Sequence, residues 1–514
     1  MIFKYIINIK KYFLANPHLW ILTFVYLITA KGHIEIVDTE YSIRTALSII
    51  ENGSFLIEPP DSLNEPAVLY LRGLSVIPIT PETQGKIYSA YGIGLSLIFI
   101  PFVLASKILS YFTGIDLRLI LNFTLSFYNI PFAILGLYFF QNITLQLGAS
   151  KVKSIFMTIC LGIGTCYWKY TVTDFSEISQ SCILLGIIHT ILKRDKNMWY
   201  KVSLGYSCLI LLKLTYVIFL PLLLIFFINR NLYQFRKSCL TNFFKSCSFF
   251  IPTCIAISFL NFTKFGNIFE TGYGNTIKFS TSYFIRDCLD YLFSFDRGIL
   301  TFNPILIFSF MGIFCAPIQY RKSLWIVGII SFVWYLTMCF WVSWQGGFCW
   351  GNRLLVPIIP LLLLPMVFLK FDSILSKILF PLTLLGSIII QFAGSFTKVH
   401  EIILIKIKIQ ELTDQFPHSQ LLRGLELFYH KLRSPNAEYI ISEFGTKSTE
   451  MINLTSYNTF HGFNLWIVHF LNHAGFKNYS FGVGILVLVF VIFFCVKPFY
   501  SLINKKLNEN CPRD

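Results

Sequence analysis

The stretch Val37-Asp38-Thr39-Glu40-Tyr41 follows directly on the first long apolar segment of the chain, residues 14–34. Two carboxylates therefore stand where a hydrophobic helix is expected to leave a lipid bilayer. A polar region, 37–87, is rich in proline, glycine and acids, and long apolar runs make up most of the remaining sequence. The sequence thus predicts acids at a membrane surface beside a bundle of apolar helices.

The composition excludes a soluble globular protein. Of the 514 residues, 55% are hydrophobic and only 13% are charged, whereas a soluble domain carries about 25% charged residues. The formal charge of +16 is expected to come from Lys and Arg that anchor cytoplasmic loops. No basic block is long enough to predict binding of nucleic acid. Most cysteines lie inside apolar runs, which favours small buried thiols over disulfides.

Basic residues predict the topology. Lys4, Lys10 and Lys11 precede the first apolar segment, so the positive-inside rule places the N-terminus in the cytoplasm and Asp38 on the opposite side. Applied to the later basic loops, the rule gives about 12 transmembrane helices with both termini in the cytoplasm. Residues 88–112 are long enough to span, but only an interfacial or re-entrant helix leaves every later short basic loop inside. We therefore expect an interfacial helix there.

The expected architecture is an all-α polytopic membrane protein. Residues 1–396 form a transmembrane core whose first external loop, 37–118, carries interfacial helices. A small external, non-cytoplasmic helical region follows at 397–479, and 480–514 form a last transmembrane helix with a cytoplasmic tail. No internal repeat is evident in the sequence, which counts against the inverted-repeat transporter folds.

Asp38 and Glu40 lie at the exit of the first predicted span, facing the external mouth of the bundle. A carboxylate that is partly withdrawn from water becomes a stronger base, which suits a general base that takes a proton from a hydroxyl. We interpret both as candidate catalytic residues. The alternative is that they are ordinary interfacial acids in a loop.

Asp174 and Glu177 form a second external acid pair close to a predicted helix end. Two carboxylates from different loops can share a divalent ion such as Mg²⁺ or Mn²⁺, which polarises a phosphate oxygen. They can equally cap the following helix, with Glu177 in the first turn, where the helix dipole favours an acid. Both interpretations stay open, and no histidine spacing adds a further metal site.

Two cations are candidates for holding a phosphate. Lys213 lies in the middle of an apolar run, where a charged side chain is unfavourable and usually functional. Two half-helices with Lys213 at an outward-facing vertex relieve that burial, although a snorkelling lysine is the alternative. Arg353 opens an apolar helix on the non-cytoplasmic side, against the positive-inside trend, and a guanidinium binds phosphate bidentately.

The segment before Arg353 contains tryptophans, among them Trp344, that offer stacking faces to a sugar or an isoprenoid. Its glycines allow a close backbone approach, and an aromatic belt with a turn is the alternative. Arg297 precedes another predicted helix start, whose amides and side chain can cradle an anion. The alternative for Arg297 is an interfacial ion pair, which is the interpretation that we favour.

These stretches resemble the C-type (GT-C) polytopic membrane glycosyltransferase superfamily, and within it the bacterial mannosyltransferase-like and protein O-mannosyltransferase-like group. Six stretches, which together cover most of residues 20–370, carry the resemblance: Asp38–Tyr41 with Ala46–Ser54, Gly85–Ser96 with Pro101, Asp174–Glu177, Leu211–Thr215, Phe293–Gly298, and Trp344–Gly347 with Trp350–Arg353. One departure concerns Glu40, because many relatives have two adjacent acids where Thr39 here separates Asp38 from Glu40.

The resemblance implies a hexosyl- or glycosyltransferase that uses a polyprenyl-phosphate-linked sugar donor on the external face, with Asp38 as the general base. The residues expected to bind substrate are Lys213, Arg353, Tyr88, Tyr91, Trp344 and Arg297. The expected partners are the lipid-linked donor, membrane lipids, and a glycan, lipid or protein acceptor, at a bacterial plasma (inner) membrane. A transporter or flippase of lipid-linked glycan, which needs the cations but no base, and a non-catalytic envelope protein are the alternatives.

Overall fold

The computed structural model describes residues 16–57, 88–89, 91–193, 197–231, 237–270, 279–342, 344–347, 349–369, 374–396, 398, 419–433, 463–476 and 479–493. In this part of the chain the only β-structure is two isolated antiparallel bridges, Leu56 with Tyr88 and Phe279 with Trp341. The all-α prediction is confirmed there. Much of the first predicted external loop, 58–87, and most of the predicted region 397–479 lie outside the described residues.

The helices up to Lys213 are α1 (Pro17–Thr29), α2 (Val37–Asn52), α3 (Ile93–Thr113), α4 (Leu117–Leu125), α5 (Asn129–Gln146), α6 (Lys151–Gly164), α7 (Cys166–Thr171), α8 (Glu177–Lys193) and α9 (Met198–Leu212). The helices after it are α10 (Leu220–Asn231), α11 (Lys237–Cys247), α12 (Phe250–Phe265), α13 (Phe284–Phe293), α14 (Ile299–Phe302), α15 (Ile307–Phe314), α16 (Ile318–Cys339), α17 (Ile359–Leu363), α18 (Ile374–Phe396), α19 (Gln420–Arg433), α20 (Trp466–His473) and α21 (Tyr479–Phe493). Short 3₁₀ segments lie at Leu214–Phe219, Pro304–Leu306, Arg353–Ile358 and Leu364–Phe368.

The protein is an integral membrane protein built of helices. Within the described ranges, five helical stretches are long and apolar enough to cross a bilayer, namely Ile93–Thr113, Leu117–Gln146, Thr241–Phe265, Ile318–Cys339 and Lys377–Phe396. Shorter apolar helices accompany them. The expected count of about 12 crossings stays a prediction. So does the interfacial placement of 88–112, since α3 is itself long and apolar enough to span.

Helix α8 lies at the centre of the bundle, where it packs against α5, α9 and the 3₁₀ segment Arg353–Ile358. Apolar residues recur on several of its faces, and most of its side chains are buried, as expected of a helix surrounded by others. Its first residue is Glu177, so the N-terminus of the central helix brings a carboxylate next to Arg353. The described parts of the C-terminal region also pack on this core, because α19 contacts α18 and α20 contacts α1.

The apolar run around Lys213 is broken there, as the sequence suggests. Helix α9 ends at Leu212, Lys213 has an extended backbone with φ −153° and ψ 114°, and a 3₁₀ segment follows. The start of α3 packs against this break. A Cβ added at Gly94 would lie 2.7 Å from the carbonyl carbon of Leu211 and from the amide nitrogen of Leu212. The two backbones therefore approach at a distance that only glycine permits.

We expect Gly94→Ala to lower the thermal unfolding temperature of the protein in detergent. The added methyl group gains about 1 kcal/mol in helix propensity, but backbone atoms of α9 cannot rotate away from it, and the overpacking costs about 2–3 kcal/mol. Gly386→Ala in α18 is the matched control, because nothing lies within 4 Å of the Cβ added there. Equal unfolding temperatures for the two variants would contradict the close packing.

Candidate active site

The first turn of α2 presents Asp38. No side chain caps this helix from its N-cap position. Instead, the backbone amides of Glu35 and Ile36 donate to the two carboxylate oxygens of Asp174 at 3.5 and 2.9 Å. The hydroxyl of Thr39 donates to the backbone carbonyl of Asp174 at 2.7 Å. Asp174 thus fixes where α2 begins, and with it the direction of the Asp38 side chain.

Arg353 connects Asp38, in the first turn of α2, with Glu177, at the start of α8. Its Nη2 donates to Oδ2 of Asp38 at 3.0 Å, and its Nε donates to Oε1 of Glu177 at 2.8 Å. The guanidinium carbon lies 3.8 Å from the centre of the Phe175 ring. The hydroxyl of Tyr91 donates to Oδ1 of Asp38 at 2.7 Å. The Asp38 side chain is 30% exposed and that of Glu177 only 1%, so Asp38 is the more accessible carboxylate.

Lys213 lies beside this cluster without pairing to it. Its ammonium interacts electrostatically with Glu177, Arg353 and Asp38, but it forms no hydrogen bond or ion pair with any side chain that the structure describes. Arg353, in contrast, already has two carboxylate partners. Within the part of the chain that the structure describes, the donors of Lys213 are therefore unpaired, and an ammonium in that state is suited to bind an anion such as a phosphate.

Glu40 points away from Asp38. Its carboxylate accepts a hydrogen bond from Nε of Arg44 at 2.8 Å and pairs with Nη2 of Arg118 at 2.5 Å. Residues two apart on a helix do not face the same side, which explains why Asp38 and Glu40 separate. The contacts of Glu40 connect α2 to α4, and they give no support to a part in catalysis.

Asp174 and Glu177, the expected metal pair, are both engaged by protein donors. Asp174 receives the amides that precede α2, and Glu177 receives Arg353. Glu177 also stands in the first turn of α8, the position that the capping interpretation expects. No group of three or more His, Cys, Asp or Glu side chains within the described ranges is placed to hold a metal ion. The divalent-metal hypothesis finds no complete ligand set in this geometry and stays a prediction.

Arg297 supports the loop that leads to Arg353. Its buried guanidinium donates to three loop carbonyls at 2.6 to 3.0 Å, those of Cys349, Gly351 and Gly347. Gln420 of α19 also engages this loop, because it donates to the Cys349 carbonyl at 2.7 Å and accepts from the Gly351 amide at 2.9 Å. These donors of Arg297 are therefore engaged within the protein, and their hydrogen bonds define the shape of the loop.

Trp344 and Tyr88, both expected to bind substrate, are buried. The Trp344 ring packs edge-on against Tyr291, with ring centroids 5.1 Å apart, and the Tyr291 hydroxyl donates to the Trp344 carbonyl. Tyr88 forms the isolated bridge with Leu56. Burial leaves little of either ring for a substrate. Of the two expected tyrosines, Tyr91 is the one placed at Asp38.

Three residues near the site escaped sequence reasoning. Phe175 lies between the recognised acids Asp174 and Glu177, but a single phenylalanine among 54 gives no signal. Glu35 lies two residues before the stretch Val37–Tyr41, whose two acids are the more prominent feature of the sequence. The buried Lys264, at the end of α12, donates to the backbone carbonyl of Ser89 at 3.1 Å. The available signal was a lysine near the end of an apolar run, two residues before Gly266.

Two buried carboxylates behind Asp38 differ in their proton affinity. Burial raises the pKa of Asp174 to about 6, with Lys31 opposing the rise and Glu35 adding to it. Burial also tends to raise the pKa of Glu35, but the nearby Lys31, His33 and Lys169 outweigh it and hold that pKa well below its usual range. Both groups are therefore ionised at neutral pH, and Asp174 takes up a proton first as the pH falls.

No family model matches this chain, and no curated protein matches it. Among solved structures, a similarity is found to ArnT from Cupriavidus metallidurans, in a crystal structure with bound undecaprenyl phosphate. It covers 95% of this chain and 77% of that one, at 11% sequence identity and a TM-score of 0.48. At that identity and score the similarity is too slight to assign a family or an activity, and the likeness to the C-type superfamily stays an interpretation of the sequence.

We expect Asp174 to make the protein more stable at pH 5 than at pH 7. Its pKa in the folded state, about 6, lies above the ordinary value of 3.8. Between these two values the folded protein therefore binds the proton more tightly than the unfolded chain, and stability rises by about 1 kcal/mol as the pH falls from 7 to 5. Thermal unfolding at both pH values should show a smaller gain in Asp174→Asn.

The control for this experiment is Asp116→Asn, at the exposed N-cap of α4, which should keep the pH dependence of the wild type. A pH dependence in Asp174→Asn equal to that of the wild type would contradict the assignment.

Proposed function

We propose that this chain is a membrane glycosyltransferase that moves a sugar from a polyprenyl-phosphate-linked donor to an acceptor hydroxyl. The observation that carries the proposal is the contact of Asp38 with Arg353, 3.0 Å apart across 315 positions of sequence. The ammonium of Lys213 interacts electrostatically with both and has no hydrogen-bond partner among the described residues. Displacement of a glycosyl phosphate needs a base and cations that stabilise the departing phosphate. The apolar helices offer a medium for the polyprenyl chain.

Lys213 and Arg353 are the proposed ligands of the donor phosphate. A phosphate that reaches Arg353 competes with Asp38 for Nη2, while Glu177 keeps Nε, because guanidinium groups bind phosphate through two donors when geometry allows. This exchange frees one carboxylate oxygen of Asp38, and Tyr91 still holds the other at 2.7 Å. Donor binding thereby releases the base from its ion pair.

In the proposed reaction Asp38 takes the proton of the acceptor hydroxyl as its oxygen attacks the anomeric carbon of the sugar. A bond forms between that oxygen and the anomeric carbon, and the bond from the anomeric carbon to the phosphate oxygen breaks. The electron pair of the broken bond stays on the phosphate, where Lys213 and Arg353 stabilise the charge. Phosphate is weakly basic and leaves without a strong acid, and in-line displacement inverts the anomeric centre.

The proposed site lies on the non-cytoplasmic side of a bacterial inner membrane, where the basic-loop asymmetry places Asp38. A glycan, a lipid or a protein can supply the acceptor hydroxyl. The main alternative is a transporter or flippase that binds the same lipid-linked glycan with Lys213 and Arg353 and uses no base. The two functions differ in their need for the carboxylate of Asp38.

Asp38→Asn is expected to lower sugar transfer by about 10²–10⁴-fold, the usual contribution of a general base, while binding of polyprenyl phosphate is retained. Transfer would be measured with the purified full-length protein in lipid nanodiscs and a radiolabelled polyprenyl-phosphate sugar. Glu51→Gln is the matched control, because Glu51 lies on the same helix and pairs with Lys107 at the surface. Near-normal transfer by folded Asp38→Asn would reject the base and favour the flippase alternative.

Lys213→Met is expected to weaken the binding of polyprenyl phosphate about tenfold or more, which corresponds to about 1.4 kcal/mol or more. The reason is the loss of the ammonium while the apolar stem, and hence its packing, is retained. Lys201→Met is the control, because Lys201 lies at an exposed position of α9, the helix that ends just before Lys213. An unchanged dissociation constant for folded Lys213→Met would remove Lys213 from the phosphate site.

A further inference from the structure

A C-terminal segment, residues 463–473, packs against the connection between α1 and α2 that leads to Asp38. The Trp466 amide donates to the carbonyl of Ala30 at 2.9 Å, and the Trp466 indole Nε1 donates to the carbonyl of Leu27 at 2.9 Å. Gly32 has a positive φ of 75°, and a Cβ added there would lie 2.5 Å from Cβ of Trp466. The two segments therefore touch backbone to backbone, although more than 400 residues separate them.

Within this contact, Asn464 holds Glu35 from behind. Its Nδ2 donates to Oε1 of Glu35 at 2.7 Å, and its Oδ1 lies 3.0 Å from Nε2 of His469. Burial lowers the pKa of His469, with Lys398 and His33 adding to the effect, so its ring is neutral and carries one proton. Because Oδ1 of Asn464 can only accept, that proton sits on Nε2, and the chain of donors runs from His469 through Asn464 to Glu35.

Glu35 is thereby fixed on two sides. Its carboxylate contacts Lys31, His33 and Asn464, and its side chain is only 4% exposed. Its backbone amide donates to the Asp174 carboxylate at 3.5 Å. Helix α2 begins two residues later without a capping side chain of its own. The orientation of its first turn therefore depends on how Glu35 is held.

We propose that Asn464 is a positioning residue for Asp38: by fixing Glu35, the C-terminal segment 463–473 sets the direction in which the first turn of α2 presents the base. This inference rests on the proposed function, in which Asp38 takes the proton of the acceptor. It gives the C-terminal segment a part in the active site without any direct contact with Asp38 among its described side chains. A base displaced by about 1 Å loses about a hundredfold in rate, so the effect falls on turnover.

The test is Asn464→Leu in the full-length protein, which keeps the size of the side chain and removes both hydrogen bonds. We expect turnover at saturating donor to fall about tenfold or more, while KM for the donor and the affinity for polyprenyl phosphate change less than about twofold. Phe470→Ala on α20 is the matched control, because that ring is 65% exposed. Its turnover should equal that of the wild type.

A folded Asn464→Leu with normal turnover, or with turnover and donor affinity reduced in parallel, would overturn the inference. Should Asn464→Leu fail to fold, Asn464→Ser replaces it in the test. Serine is too short to reach Glu35, and it buries no apolar group beside the charges. Asn464→Ser should show the same selective fall in turnover. Asp38→Asn separates the two failures. If that variant is active, the proposed function fails as well; if it is inactive and Asn464→Leu or Asn464→Ser is normal, only the positioning role fails.

Discussion

The ion cluster of Arg353 with Asp38 and Glu177 is the constraint around which the described structure is arranged. A guanidinium withdrawn from water is tolerated only when carboxylates and hydrogen bonds compensate it. That requirement brings the first turn of α2, the N-terminus of α8 and the loop before the 3₁₀ segment Arg353–Ile358 to one point. The Phe175 ring completes the enclosure with a cation–π contact. Asp38, Arg353 and the neighbouring pair Phe175 and Glu177 come from three distant parts of the chain, so the cluster forms only when the bundle does.

Further contacts hold the two partners of this ion pair, Asp38 and Arg353, in place. Arg297 gives the loop before Arg353 its shape through three backbone carbonyls, and Asp174 sets the start of α2 through two backbone amides. Both are charged side chains that act on the backbone, at the two ends of the same ion pair. The charged residues that look functional in the sequence therefore form two groups. Asp38 and Arg353 lie in the candidate site, whereas Arg297 and Asp174 hold the backbone segments that carry them.

Local physics made part of this predictable. Long apolar runs predict helices in lipid, and a lysine in the middle of one predicts a break, which the structure shows at Lys213. The meeting of Asp38 with Arg353 was expected from a common external placement together with the resemblance, because no local pattern links residues so far apart. Lys213 was expected beside them on the same grounds, and its electrostatic interaction with both agrees with that placement.

The rest depends on tertiary geometry that no spacing encodes. Helix geometry separates Glu40 from Asp38, but only the packing of α2 against α4 brings Arg118 to Glu40. Asp174 looks like a ligand or a cap in the sequence, but its partners are backbone amides 138 and 139 positions away. Trp344 has the composition of a stacking platform and is buried by Tyr291. Backbone groups carry no residue-specific signal, so contacts made to them are invisible in a single sequence.

The glycine contact between α3 and the end of α9 has a mechanical consequence. Gly94 packs directly on the peptide between Leu211 and Leu212, one residue before Lys213, and three residues before Gly94 stands Tyr91, whose hydroxyl donates to Asp38. Glycine leaves no side chain between the two backbones, so a shift of the α9 backbone before Lys213 meets the start of α3 directly. The backbone position of Lys213 is thereby coupled to that of Tyr91, the tyrosine that donates to Asp38.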